Sequence, residues 1–394
     1  MVKKMMVLLL SAMMLAGAMT GCGSTDSGNS DNKGSEVSVN DVSGNNAGSE
    51  TPSIITVNTV YGNVEIPYAP ERICVLDMNT MDMIHTFGLS DNVASLVYNK
   101  KHTPYLADYY ASESIVSLTV STRNAEEGAD PYESYYSIDA DLIIGDADSV
   151  NADLYAVLSQ IAPTVVLPNA EEHKDGRYEG VMANAAVVAS IWGLDAEMAS
   201  IAETYDAKYD ALVKECAGKT YLLGGGDVSV NSFRLATSED GGRAKTTESS
   251  ENSENSEKSG SSEKSESSGG GSNKAANTTA IIAFLTELDM VNITDTAPEE
   301  VRATALAELD NDAAAKKMSE WIETAAPAGL FITQRDYETY EDVLEAGYEY
   351  LYLDTLTVYK NGGFAILGTE WTQLSGGLTA MMTMEDQLAA AFLD

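Results

Sequence analysis

Positive charge is scarce in this chain. Lys and Arg number 23 against 61 Asp and Glu, a formal net charge of −38, so attraction to nucleic acid or to anionic lipid head groups runs against the mean field, and neither is expected as the main role. An anion site on such a molecule has to be a local group of guanidinium ions, drawn from only seven arginines. Cysteine is equally sparse: three residues build no disulfide framework. Cys74 in an apolar run and Cys216 at a helix end read as unpaired, buried thiols. The three histidines, His85, His102 and His173, are too far apart to give a metal-binding spacing. There is no Gly-x-Ser-x-Gly elbow and no evident Ser/His/Asp grouping, which argues against a hydrolase. No catalysed reaction and no cofactor are expected.

Long apolar runs are also missing. The stretch from Met5 to Met19 follows Lys3 and Lys4 and is too short to span a bilayer comfortably, but it fits the core of a secretory signal over residues 1–21. It ends in Met19-Thr20-Gly21-Cys22, which resembles the bacterial lipobox. The resemblance implies cleavage before Cys22 and lipidation of its thiol, with the mature protein held at the outer face of the cell membrane or in the periplasm. Residues 22–53 are rich in Ser, Gly, Asn and Asp and have little to bury, so they read as a flexible tether.

What is present from Ile54 onward is α/β patterning. Ile54 to Val60 and Val64 to Pro67 flank a turn at Tyr61-Gly62-Asn63 and predict a hairpin. Short apolar runs at 72–77, 141–145 and 164–167 alternate with helical spacing at 80–87 and 153–161, which predicts a parallel sheet covered by helices. Residues 198–216 carry apolar side chains at three- and four-residue steps, a long amphipathic helix. A second strand-helix series follows through 221–223, 232–235, 281–288, 329–333 and 363–367. The predicted organisation is therefore an N-terminal lobe over 54–194, a bridging helix over 195–217 and a C-terminal lobe over 218–394. The Ser/Glu-rich segment 246–277 has no hydrophobic period and reads as a disordered insertion.

Several ordered stretches resemble the substrate-binding proteins of ABC importers for ferric siderophores and cobalamin, and within them the catecholate and petrobactin binders. The carrying motifs are Tyr61-Gly62-Asn63-Val64-Glu65-Ile66-Pro67 with Pro70-Glu71-Arg72-Ile73, Asp139-Ala140-Asp141-Leu142-Ile143-Ile144-Gly145, Gln160-Ile161-Ala162-Pro163-Thr164, Tyr359-Lys360-Asn361-Gly362-Gly363-Phe364 and Leu374-Ser375-Gly376-Gly377. The resemblance implies two Rossmann-like lobes joined by a rigid helix, a monomer, and capture of a chelate that brings its own Fe3+. It implies cleft arginines for the anionic complex, because a guanidinium stays charged, donates in a fork and stacks on catechol rings.

Arg243, after Gly241-Gly242, and Arg335, after Thr333-Gln334, match two of those arginines, with Trp371, as an aromatic wall element, and Gln373 as the other expected ligand-binding residues. The family's first-lobe arginine is replaced by Gly145-Asp146-Ala147-Asp148, and Arg123 or Arg177 is the remaining candidate to substitute for it. Gln373 stands where the subgroup has a tyrosine, so direct ligation of iron by the protein is not expected. Glu133 and Glu320 match the carboxylates that pair with arginines of the permease. Heme or cobalamin in the same cleft, or a degenerate surface lipoprotein used for adhesion or sensing, are the alternatives.

Overall fold

The computed structural model describes residues 39–40, 53–97, 115–118, 132–227, 232–235, 278–298, 301, 312–333, 340–345, 352–368, 371 and 376–393. The leader, the tether apart from Val39–Asn40 and Ser53, and the 246–277 insertion lie outside these.

The described chain opens with β1 (Val39–Asn40), β2 (Ile54–Thr59) and β3 (Gly62–Pro67), an antiparallel three-stranded sheet in that order. The hairpin forms as expected, but its turn sits one residue earlier than the pattern indicates. Tyr61 N–H donates to Thr59 Oγ1 at 3.1 Å, the Thr59 hydroxyl donates to the Gly62 carbonyl at 2.9 Å, and Gly62 itself takes φ +107°. A threonine side chain thus closes the loop before Gly62.

The first lobe continues with β4 (Ile73–Val75), α1 (Met78–Thr86), β5 (Val93–Val97), β6 (Val116–Leu118), α2 (Glu133–Tyr136), β7 (Leu142–Asp146), α3 (Ala152–Leu158), β8 (Thr164–Leu167) and α4 (Arg177–Ile191). Its strands are all parallel in the order β6-β5-β4-β7-β8. Helix α5 (Asp195–Cys216) follows, burying Met198, Leu212 and Cys216 on one face. The second lobe holds β9 (Thr220–Asp227), β10 (Ser232–Leu235), α6 (Thr278–Glu287), β11 (Val291–Asn292), α7 (Asp312–Ala325), β12 (Gly329–Thr333), α8 (Tyr340–Glu345), α9 (Thr357–Lys360), β13 (Phe364–Leu367) and α10 (Leu378–Phe392). Its order is β10-β9-β12-β13, with β11 beside the start of β9. β10 runs antiparallel to β9, unlike the rest. Only residues 228–231 separate the two strands, and a parallel crossover needs a dozen or more.

Alternation along the strands explains why their sequences are apolar throughout. In the first lobe Ile73, Val75, Leu142, Ile144, Val165 and Leu167 enter one core, while their neighbours Cys74, Ile143 and Val166 enter another on the opposite face. In the second lobe Tyr221, Leu223, Phe331 and Leu367 join that same first core, and Leu222, Leu330, Ile332 and Ile366 form an outer one. Both sheets are covered on both faces, which requires apolar residues at every strand position. The inner faces of the two sheets share one continuous core with α1, α4, α5, α6 and α10.

The lobes also exchange caps. Helix α10 of the second lobe has no capping side chain of its own; instead Asp82 of α1, fully buried, accepts from Thr379 N–H at 2.7 Å and Ala380 N–H at 3.4 Å. Helix α4 of the first lobe also lacks a local cap, and Glu287 of α6 accepts from Arg177 N–H at 2.6 Å and Tyr178 N–H at 3.3 Å. Each lobe thus sets a carboxylate at the positive end of a helix in the other. The approach needs glycine: a Cβ on Gly377 would lie 2.3 Å from Asp82 Oδ2, and one on Gly176 3.1 Å from the Glu287 carboxylate.

Asp82→Ala and Glu287→Ala should each lower stability in urea unfolding by about 1–3 kcal/mol, because each strands two helix N–H groups. Alanine in place of an exposed acid such as Glu133 should stay within about 0.5 kcal/mol of the parent.

Candidate functional site

Strand β4 lies between β5, which follows it in the chain, and β7, so the strand order reverses direction at β4/β7. Open parallel sheets bind ligands at such a reversal, outside the carboxyl ends of the strands. A cavity of about 170 Å³ lies there, lined from α1 by Asn79, Thr80 and Met83, from the end of β7 by Asp146 and Asp148, and from the end of β8 by Leu167 to Glu171. Arg177 and Asn184 of α4 and Gly376 of the second lobe complete the lining.

The polar side chains are held by short local bonds. Asp77, the N-cap of α1, accepts from Thr80 N–H and Thr80 Oγ1–H, both at 2.8 Å, and from Asp146 N–H at 2.9 Å. Asp146 in turn accepts from Ser149 N–H at 2.9 Å and from the Asn79 amide at 3.4 Å. The Asn79 carbonyl accepts from Gly376 N–H at 3.2 Å, tying the second lobe to the cavity rim. The Asn169 amide donates to both oxygens of Asp148 at 3.0 and 3.1 Å. Asn184 donates to the Pro168 carbonyl at 2.9 Å.

Negative charge is crowded here. Burial, followed by the neighbouring Asp146 charge, pushes the Asp77 carboxyl up to about 7. Asp148 is also raised, by burial first and then by Asp146, Glu171 and Glu172. The one cation in the lining, Arg177, is 1% exposed. Its Nη2 pairs with Glu171 at 2.9 Å and its Nη1 donates to the Ala280 carbonyl at 3.0 Å. Burial draws its pKa below the ordinary arginine value, against the opposing pull of Glu171 and Glu287.

The structure separates the residues singled out in the sequence. Arg177 does reach the cavity that a first-lobe arginine would serve, but its charge is taken by Glu171. Trp371 is a correction: it is fully buried, its indole N–H donates to Gln387 at 2.6 Å, and it meets Phe284 edge-on at 5.8 Å, so it is core and not cleft wall. Glu133 and Glu320 are exposed on separate lobes. Cys22, Arg123, Arg243, Arg335 and Gln373 lie outside the described residues. Cys74 and Cys216 are free and buried, as read from their surroundings. Among the described residues, no group of three His, Cys, Asp or Glu could hold a metal ion, and no helix is long and apolar enough to cross a membrane.

Sequence reasoning missed Asp77, Asn79, Asn169 and Asn184. A signal was available for Asp77 and Asn169, because each is an Asx residue just past a strand end that caps the following helical turn.

No family model and no curated protein matches the sequence. Solved structures do. PiuA, an iron-uptake ABC-transporter substrate-binding protein from Streptococcus pneumoniae, is 17% identical with a TM-score of 0.50, over 87% of this chain and 100% of that one. BauB, a siderophore-binding protein bound to ferric iron and two molecules of acinetobactin, is 16% identical with a TM-score of 0.50, over 86% and 98%. The fold is that of a two-lobe periplasmic binding protein. Identity this low establishes the architecture and leaves the ligand to be argued from the site.

Asp77 makes the binding-protein fold sensitive to pH. A carboxyl whose pKa is raised on folding contributes stability that is complete below the unfolded value of about 4 and is lost as pH rises through about 7. The urea midpoint should therefore fall between pH 5 and pH 8, and Asp77→Asn should flatten that slope relative to the parent.

Proposed function

We propose that this chain captures a ferric siderophore in the cleft between its lobes and delivers it to an ABC permease. The observation that carries the reading is the polar cavity at the strand reversal of the first lobe, rimmed by Gly376 of the second, in a fold shared with PiuA and BauB. Iron is cargo in this account, brought by the chelate and held by contacts to its organic shell. Lipidation of Cys22 would keep the protein beside its importer, since a firmly held acylated terminus and a tether allow local search without loss to the medium.

Arg335 follows Thr333, the last residue of β12, by two positions, and Arg243 and Gln373 fall in the same stretch of sequence, 218–394. In this reading the second lobe supplies the positive charge for an anionic iron centre. Glu133 and Glu320, one exposed carboxylate on each lobe, are the contacts for arginines of a permease. A pair spread across two lobes that are fixed to each other would let the importer recognise the protein by geometry as well as by charge.

Titrating the protein with ferric catecholate complexes should quench its tryptophan fluorescence with submicromolar affinity. Arg335→Ala should weaken this roughly tenfold or more, as loss of a charge-assisted contact does. Unchanged affinity in the variant would remove Arg335 from the site.

A further inference from the structure

Strand β1 comes from the stretch whose composition predicts a free tether, and it corrects that reading at Val39–Asn40. Between Cys22 and Ser53 the sequence has no Leu, Ile, Met or aromatic residue, and its valines, Val37, Val39 and Val42, fall together. Val37 and Val39 are two apart, the spacing of one face of a strand. β1 pairs antiparallel with β2, Val39 opposite Val57 and Asn40 opposite Thr56. Val57 is buried in the shared core, and Thr56 is on the other, partly exposed face. Register and pattern therefore agree: the apolar residue holds the core-face position and the polar one the outer-face position, and a slip of one residue would exchange them.

The hairpin that receives β1 is fixed to the body at both ends. Toward its turn, Val60 N–H donates to the Val166 carbonyl at 3.2 Å and the Tyr61 hydroxyl to the Val150 carbonyl at 2.9 Å. At its open end, Tyr68 N–H donates to the Ser53 carbonyl at 3.2 Å and Ala69 N–H to the Ile191 carbonyl of α4 at 3.0 Å. β1 also lies close to α4. Because β1 is antiparallel to β2, its amino end points toward the turn, and so toward Val150 and Val166. Val150 lies just past β7 and Val166 near the end of β8, at the carboxyl ends of the strands, where Asp146 and Leu167 line the cavity.

We infer that β1 turns the tether into a directional strap: it shortens the leash and makes it leave the body at the cavity end of the first lobe, so that a protein anchored through Cys22 carries that end toward the bilayer. This rests on the reading of Cys22 as lipidated. With Val39 docked, residues 23–38 span at most about 55 Å, against about 110 Å for residues 23–53. The segment 41–53 joins β1 to β2 and keeps it at an effective concentration on the order of millimolar, so the chain's own tether outcompetes other extended segments for this edge. Closing the edge of β2 also removes a template for pairing with a second copy.

Hydrogen exchange followed by mass spectrometry on the full-length protein tests the docking, with Val39→Pro/Asn40→Pro as the variant. Residues 54–60 should exchange roughly tenfold faster in the variant, with β7 and β8 unchanged. Equal exchange of 54–60 in the two proteins overturns the inference, whatever the state of Cys22.

Energy transfer tests the direction. The lipidated protein is placed on phosphatidylcholine vesicles that contain an acceptor-labelled lipid, with a donor dye on Asn63→Cys beside the turn or on Ala196→Cys, an exposed position just past Ile191 at the open end of the hairpin. Cys74 and Cys216 are buried and escape labelling. The length of β2 sets the two dyes roughly 20 Å apart, so the Asn63 dye should transfer about twofold more efficiently. The double-proline variant should lose that difference. Equal transfer from the two dyes, or more from Ala196, overturns the inference while leaving the lipid anchor intact. If mass spectrometry finds Cys22 unmodified and the protein does not stay on the vesicles, the anchor reading fails, and the strap's direction fails with it.

Discussion

Everything about this molecule depends on the way its two sheets share a core. The inner faces of β4, β7 and β8 and of β9, β12 and β13 contribute to one continuous apolar cluster, and α5 lies in it together with helices from both lobes. Opening the lobes would expose that cluster to water at about 25 cal/mol per Å² of apolar surface. It would also strand the helix ends that Asp82 and Glu287 cap across the divide. The lobes are therefore one mechanical unit, and the cavity at their boundary keeps its shape before any ligand arrives. A preformed site loses little conformational entropy on binding.

The same constraint accounts for the chemistry of the site. Because α1 must present Asp82 to α10, its N-terminus is fixed beside the end of β7, and its N-cap Asp77 sits within hydrogen-bonding distance of the Asp146 backbone. This packing buries Asp77 and holds it near Asp146, and burial first, then the neighbouring charge, raises the Asp77 pKa. Gly376 and Gly377 belong to the same arrangement. They admit Asn79 and Asp82 at distances where a side chain would collide, so a short glycine pair serves both the joint between lobes and the rim of the cavity.

Much of the architecture could be read from the sequence, and the reason is physical. Sheets covered on both faces need unbroken apolar runs such as Leu142-Ile143-Ile144 and Val165-Val166-Leu167, and these stand out between polar helices and turns. The 3.6-residue spacing of Met198, Leu212 and Cys216 marked α5 in the same way. Contacts between distant segments left no such trace. Gly376-Gly377 could be recognised as a signature, but the carboxylate 295 positions earlier that makes Gly377 necessary could not. Trp371 was expected at the ligand site, yet its partners Phe284 and Gln387 come from α6 and α10. Arg177 was a candidate cation by residue type alone; its neutralisation by Glu171 depends on the turn at Asn169.

The most direct measure of the shared core is native-state hydrogen exchange, followed separately for the amides of β4 and β7 and for those of β9 and β12. If the sheets stand or fall together, both sets will exchange with the same free energy, equal to that of global unfolding. Exchange of one set at a distinctly lower free energy, with the other still protected, would show that a lobe opens on its own and would contradict the account.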